Sequence, residues 1–218
     1  MKLKWYGHSA FRLTDSRGIN VIMDPYEPGC YDGGIGYDAI HEGAEIVTCS
    51  HSHPDHCYHQ GISGNPLVIT RPCAQVIRQI KIEGVGAWHD KSNGKERGPV
   101  VVFKVVMDDV RVCHLGDIAH LLQEKDLNYL KPIDVLMIPV GGHFTIDAEE
   151  AAEMVRLLQP KIIIPMHYKT PKCDFPIAPE NAFTSKFPKV KHINTSEVDI
   201  NRDNIPQEPE IWNLTYAG

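Results

Sequence analysis

No stretch of the 218 residues approaches the ~20 consecutive apolar residues that a membrane-spanning helix needs. The opening Met1-Lys2-Leu3-Lys4-Trp5 has no apolar core segment and no small-residue cleavage site, so no export signal is read there. Basic charge is also scarce, since 22 Lys and Arg face 28 Asp and Glu, for a net charge of −6. Neutralisation of phosphates by Lys and Arg dominates nucleic-acid affinity, so this balance argues against a nucleic-acid binder. The six cysteines, at 30, 49, 57, 73, 113 and 173, show no paired spacing such as C-x-x-C. Cys49, Cys73 and Cys113 fall in apolar segments and read as buried small hydrophobes. A reducing, cytoplasmic setting is therefore expected.

The chain does have a dense group of metal-capable side chains. Ser50-His51-Ser52-His53-Pro54-Asp55-His56 carries four of them within six residues, directly after the apolar run Glu45–Cys49. That run reads as a short buried strand. In extended chain, residues two apart point the same way, so His51 and His53 can grip one metal from one face. Pro54 biases the chain toward a turn, which lets Asp55 and His56 face a neighbouring point. Imidazole and carboxylate donors suit Zn, Mn or Fe. Cys57 is expected beside this group rather than in it.

Around the motif, strands alternate with helices, which indicates α/β layering in one domain spanning 1–218. Residues 2–6, 10–14 and 19–23 read as strands. The segment 24–44 is rich in Gly and Pro, and its Tyr26, Tyr31 and Tyr37 suit either a substrate cleft or packing. Pro72 to Ile80 reads as a helix, with an apolar face at Cys73, Val76, Ile77 and Ile80. Residues 91–98 read as a polar, exposed loop. Asp108-Asp109 reads as a tight hairpin, followed by a helix over 121–130. Residues 134–138 read as an apolar, central strand, and 161–164 as the strand that follows the next helix. Asp147 and Glu150 form a capping-box pattern before another helix. The tail from Ala178 is expected to hold one helix and two weak strands. Strand ends offer three more ligand candidates, His89, Asp117 and His167, with His114 as an alternative to His89.

The H-x-H-x-D-H stretch after a strand resembles the hallmark of the metallo-β-lactamase superfamily. Trp5–Phe11, Met23–Tyr26, His89-Asp90, His114–Asp117, Pro139–Gly142 and Pro165–Tyr168 match its short UlaG-like or UPF0173-like hydrolases in order. The resemblance implies a four-layer αββα sandwich, with two mixed sheets and helices outside. It implies two divalent metal ions, Zn first and Mn or Fe as alternatives. His51, His53 and His89 would hold one ion, Asp55, His56 and His167 the other, and Asp117 would bridge them. Asp55 would also orient the nucleophile. His8, Asp24, Asp90 and His114 are expected to support these ligands.

The implied activity is hydrolysis of a small ester, lactone or phosphoester. An iron oxidoreductase and an RNase Z-like nuclease are the alternatives on the same fold. Gly141 and Gly142, with His143, Thr145 and Lys169, are expected to bind an anionic part of the substrate. A small-molecule substrate is the expected partner, with no nucleic acid and no membrane. A homo-oligomer stays open. Antibiotic hydrolysis is not expected, because that role normally requires export.

Overall fold

The computed structural model describes residues 1–218. Two mixed sheets stack face to face. The six-stranded sheet has the order β13-β1-β2-β3-β4-β5. It is built from β1 (Lys2–Gly7), β2 (Ala10–Thr14), β3 (Asn20–Met23), β4 (Ile46–Thr48), β5 (Leu67–Ile69) and β13 (Glu197–Asp199). The eight-stranded sheet has the order β12-β14-β11-β10-β9-β8-β7-β6. Its strands are β6 (Ala74–Ile77), β7 (Ile80–Trp88), β8 (Pro99–Met107), β9 (Val110–His114), β10 (Val135–Pro139), β11 (Ile162–Met166), β12 (Val190–Ile193) and β14 (Glu210–Leu214). The helices are α1 (Glu124–Leu130), α2 (Ala148–Leu158) and α3 (Asn181–Thr184). No helix is long and apolar enough to cross a membrane.

Alternation of side chains along the first sheet explains the layering. Leu3, Trp5, Phe11, Leu13, Val21, Met23 and Ile46 point inward, into a core of 47 buried residues shared with the eight-stranded sheet. Their neighbours Tyr6, Ala10, Ile22 and Val47 point outward, into a second cluster of 13 buried residues. Segment 24–44 closes that second face by supplying Tyr26, Ile35, Tyr37 and Ile40. Tyr26 and Tyr37 are thus packing residues. Strands β10 and β11 are apolar throughout because both their faces are buried, and they run parallel with α2 as the crossover.

The Asp147 capping box is formed: its carboxylate accepts from the Glu149 and Glu150 backbone, and Glu150 reaches back to the Asp147 N–H. Met107 pairs with Val110 across Asp108-Asp109, both with positive φ, as the hairpin reading requires.

Four expectations are corrected. Residues 72–80 are not a helix. They form β6, a turn at Arg78-Gln79 with φ of +48° and +67°, and the start of β7. Apolar residues at 73, 76, 77 and 80 fit a helix face as well as a hairpin, and the edge position leaves Val76 exposed. The helix expected from 121 begins only at Glu124. The tail carries three strands, and they join both sheets: β13 pairs with β1, whereas β12 and β14 extend the other sheet. Cys49 is bonded to Cys57 in a disulfide, with a Cα–Cα distance of 5.1 Å, so it is not a free buried thiol, and the cysteines no longer point to a reducing setting.

Replacing Asp147 by Ala is expected to lower stability by about 1 kcal/mol through loss of the cap. Ile163→Ala, in the buried centre of β11, should lower it by about 3 kcal/mol through the cavity left behind. Urea unfolding of the two variants checks this order; equal effects would contradict the placement of either residue.

Candidate metal centre

The candidate ligands gather where strand ends of the two sheets meet. The loop after β4 brings His51, His53, Asp55 and His56; β7, β9 and β11 deliver His89, Asp117 and His167 just past their last residues. Backbone hydrogen bonds pin the sheets together here. The His167 N–H donates to the His8 carbonyl (3.2 Å), and the Val101 N–H to the Ser50 carbonyl (2.8 Å). Gly116 has φ of +56°, and a Cβ there would lie 2.6 Å from the Ser50 side chain. Only glycine allows β9 to turn Asp117 this close to the motif.

The ring nitrogens converge. His51 Nε2 lies 2.9 Å from His53 Nδ1, near the roughly 3.3 Å expected of two nitrogens on one tetrahedral zinc. Asp117 Oδ2 lies 3.1 Å from His56 Nε2, 3.4 Å from His89 Nε2 and 3.2 Å from His167 Nε2. Asp55 Oδ2 lies 3.5 Å from His56 Nε2. His51, His53 and His89 form one group able to hold a metal; His8, Asp55, His56 and His167 form another. His56 Nε2 and Asp117 Oδ1 are buried and have no hydrogen-bond partner. Donor atoms that converge, buried and unsatisfied, fit a cation among them.

The supporting residues sort by their contacts. Asp24 accepts from His56 Nδ1–H (2.8 Å), the Ser50 N–H (2.7 Å) and the Ser50 hydroxyl (2.5 Å), and Ser50 Oγ lies 3.0 Å from His51 Nδ1. One carboxylate thereby orients two imidazoles and turns both Nε2 atoms inward. His8 Nε2–H donates to Asp55 Oδ2 (3.1 Å), and the Tyr31 hydroxyl lies 3.4 Å from Oδ1.

His114 is excluded from direct contact with a metal. Its Nε2–H donates to the Ser9 carbonyl (2.9 Å), and its Nδ1 accepts the Gly116 N–H (3.1 Å). Asp90 orients no imidazole and binds the loop that follows it instead. His8, Asp24 and His167 have φ of +48°, +46° and +51°, and each directly follows the last residue of a strand.

Electrostatics favour a cation. Burial opposes charge on His56, but Asp117, Asp55 and Asp24 overcome it and raise its pKa well above the usual 6.5. Burial would raise the Asp117 pKa, yet His167 and His56 hold it well below the ordinary range. Burial, reinforced by His56, lowers His51 to about 3, so that ring stays neutral as a ligand must.

A cleft of about 300 Å³ opens onto the cluster, and His53, Asp55, His89, Asp117 and His167 form its floor. Tyr31, Phe144, Phe175 and Arg97 form its walls. Of the residues expected to bind an anion, Gly141, Gly142, His143, Thr145 and Lys169, none lines this cleft. Thr145 is buried and bonds the Ile146 carbonyl, Lys169 pairs with Asp174 and the Phe175 carbonyl, and His143 points to solvent beside Phe144. The Gly141 N–H is spent on the His167 carbonyl. Sequence reasoning missed Ser50, Phe175 and Arg97; only Ser50, inside the motif, carried a local signal.

Two stacked mixed sheets, with a buried imidazole–carboxylate cluster at their facing strand ends, define a metallo-β-lactamase-type fold able to bind metal. The chain belongs to the family described as the β-lactamase superfamily domain, whose family model matches residues 2–167. It is 31% identical over 196 residues to a UPF0173 metal-dependent hydrolase of Pyrococcus horikoshii, covering 78% of this chain and 85% of that one. Among solved structures it is similar to a metallo-β-lactamase superfamily protein of Thermotoga maritima named as a candidate Zn-dependent hydrolase. That match has a TM-score of 0.82 and 33% identity, covering 98% and 97% of the two chains. A metallo hydrolase of Ignicoccus hospitalis shares the fold at 22% identity and a TM-score of 0.60, covering 85% of this chain and 89% of that one.

Asp24→Ala is expected to weaken metal affinity about 10–100-fold, whereas His114→Ala should leave it near the parental value. Competition with a chromogenic chelator measures both, and the reverse order would contradict the contacts described. Because Asp117, Asp55 and Asp24 hold the His56 pKa well above its usual value in the metal-free chain, metal binding there should release a proton. Calorimetric titrations in buffers of different ionisation enthalpy would detect it, and a buffer-independent heat would contradict the raised pKa.

Proposed function

We propose that this chain is a dinuclear metal-dependent hydrolase of small ester, lactone or phosphoester substrates. The observation that carries the reading is Asp117, one carboxylate oxygen of which lies within 3.4 Å of imidazoles from both ligand groups. His51, His53 and His89 would hold the first ion; Asp55, His56 and His167 the second; Asp117 would lie between them. Zinc is the favoured occupant, and the same nitrogen and oxygen donors also suit manganese or iron.

Bound divalent ions would lower the pKa of water toward neutral and polarise the scissile carbonyl or phosphoryl oxygen. The chain supplies the rest. His8 and Tyr31 hold the Asp55 carboxylate at the cleft floor, where it can orient a water and accept its proton. Asp24 fixes the His56 and His51 rings. Tyr31, Phe144 and Phe175 offer apolar walls to the substrate body. A cleft of about 300 Å³ suits a small molecule rather than a folded RNA.

Elemental analysis is expected to find about two metal equivalents per chain, falling to about one in His167→Ala. Turnover of a panel of aryl esters, lactones and phosphoesters should be lost on chelation and restored by zinc or manganese. Turnover that survives exhaustive chelation would sink the reading.

A further inference from the structure

The loop between β7 and β8 is polar, yet it is tightly built. The Asp90 carboxylate accepts five hydrogen bonds from it. Oδ1 takes the Ser92 N–H, the Ser92 hydroxyl and the Gly94 N–H, each at 2.8 Å. Oδ2 takes the Glu96 N–H at 3.0 Å and the Arg97 N–H at 2.9 Å. Gly94 has φ of +77°, and a Cβ there would lie 2.5 Å from the Trp88 ring. The Gly98 N–H closes the loop onto the Gly94 carbonyl. A loop wound this way around one carboxylate holds its residues in place.

The residue it holds over the cleft is Arg97. This side chain is half-buried, and its guanidinium lies 5.4 Å from the centre of the Phe144 ring. Arg12, Arg17, Arg111, Arg156 and Arg202 each bridge to a carboxylate. The Arg97 guanidinium makes no hydrogen bond or ion pair. It forms a wall shared by the metal cleft and an adjoining cavity of about 340 Å³, which also contains Arg71 and Thr70. His53 lines both spaces as well. A guanidinium is a planar fork that matches an oxyanion with two donors, and stacking on an aromatic ring fixes its plane.

We propose that Arg97, aided by Arg71, is the specificity determinant of this hydrolase, binding an oxyanion on the substrate a few bonds from the scissile group. The anion sits in the adjoining cavity, while the reacting bond lies over Asp55 and Asp117 beside the aromatic wall. This assignment rests on the hydrolase reading and adds the substrate class: small esters that carry a second, negatively charged group, carboxylate or phosphate. Two dications would balance Asp24, Asp55, Asp117 and a metal-bound hydroxide, which leaves the preference for an oxyanion to Arg97 and Arg71.

The test uses the full metal-loaded chain and three aryl esters with the same leaving group: an aryl hemisuccinate, its methyl ester, and an analogue with phosphate in place of the carboxylate. In Arg97→Met the ratio of kcat/KM for the free carboxylate to that for the methyl ester is expected to fall at least tenfold. The loss should be carried by KM and only partly restored in Arg97→Lys, which keeps the charge but not the planar fork. The oxyanion that loses more in Arg97→Met and Arg71→Met is the one the cavity selects. Calorimetric binding of the succinate anilide gives a readout independent of turnover, and its Kd should rise at least tenfold in Arg97→Met at parental metal content. Equal losses for charged and neutral esters, or an unchanged anilide Kd, would overturn the assignment. If the parent cleaves none of these esters and none of the lactones and phosphoesters of the wider panel, but binds the anilide through Arg97, the hydrolase reading fails and anion recognition stands.

Discussion

Burying Asp24, Asp55 and Asp117 in one cluster is the constraint on which the rest of the structure depends. All three are withdrawn from water, and an ionised carboxylate so placed is strongly unfavourable unless positive charge and hydrogen bonds compensate it. His56 sits among them, its Nδ1 on Asp24 and its Nε2 facing Asp55 and Asp117. A proton on that ring and a metal ion beside it are alternative answers to the same charge imbalance. The two sheets, packed through one apolar core, give the framework stiffness to hold like charges together until one of those answers arrives.

That stiffness has a clear origin. β10 and β11 are buried on both faces, and the turns that follow them lie against the cluster. The six-stranded sheet has no long helix on its outer face; segment 24–44 fills that role by burying two tyrosines. The same segment sends Tyr31 the other way, to the cleft, where its ring packs edge-on against Phe175 at 5.5 Å. A loop that looks irregular in sequence thus performs two tasks, covering a sheet and lining a cleft.

What could be read from the sequence follows from how local each signal is. Spacing within H-x-H-x-D-H, the Asp147–Glu150 cap and the Asp108-Asp109 turn are set by neighbours a few residues away, and each is legible. The region 72–80 misled because one apolar spacing serves both a helix and a hairpin, and Arg78-Gln79 lacks the glycine or asparagine that usually marks such a turn. The family pattern favours His89 over His114, but the physical reason is not local: the carbonyl of Ser9, some hundred residues away, takes the Nε2 proton of His114. Lys169 looked like an anion binder until Asp174 was seen beside it, while Arg97 looked like a surface charge because the role of Asp90 as a loop organiser depends on backbone N–H groups that a sequence does not display.

Three of the residues around the cleft, His8, Asp24 and His167, have left-handed backbone conformations that L-residues adopt at a cost of roughly 1–2 kcal/mol each. Each lies one step beyond a strand, where the chain must reverse to bring a side chain back over the site. Glycine would relieve the strain at every one of them and would also remove the group that holds or orients a ligand. Relief of strain would not make such a change stabilising, because each side chain is buried: glycine would leave a cavity, and at Asp24 it would leave the Ser50 and His56 donors unpaired. The strained backbone at these three positions is therefore held by the packing and hydrogen bonds of the same side chains that face the site.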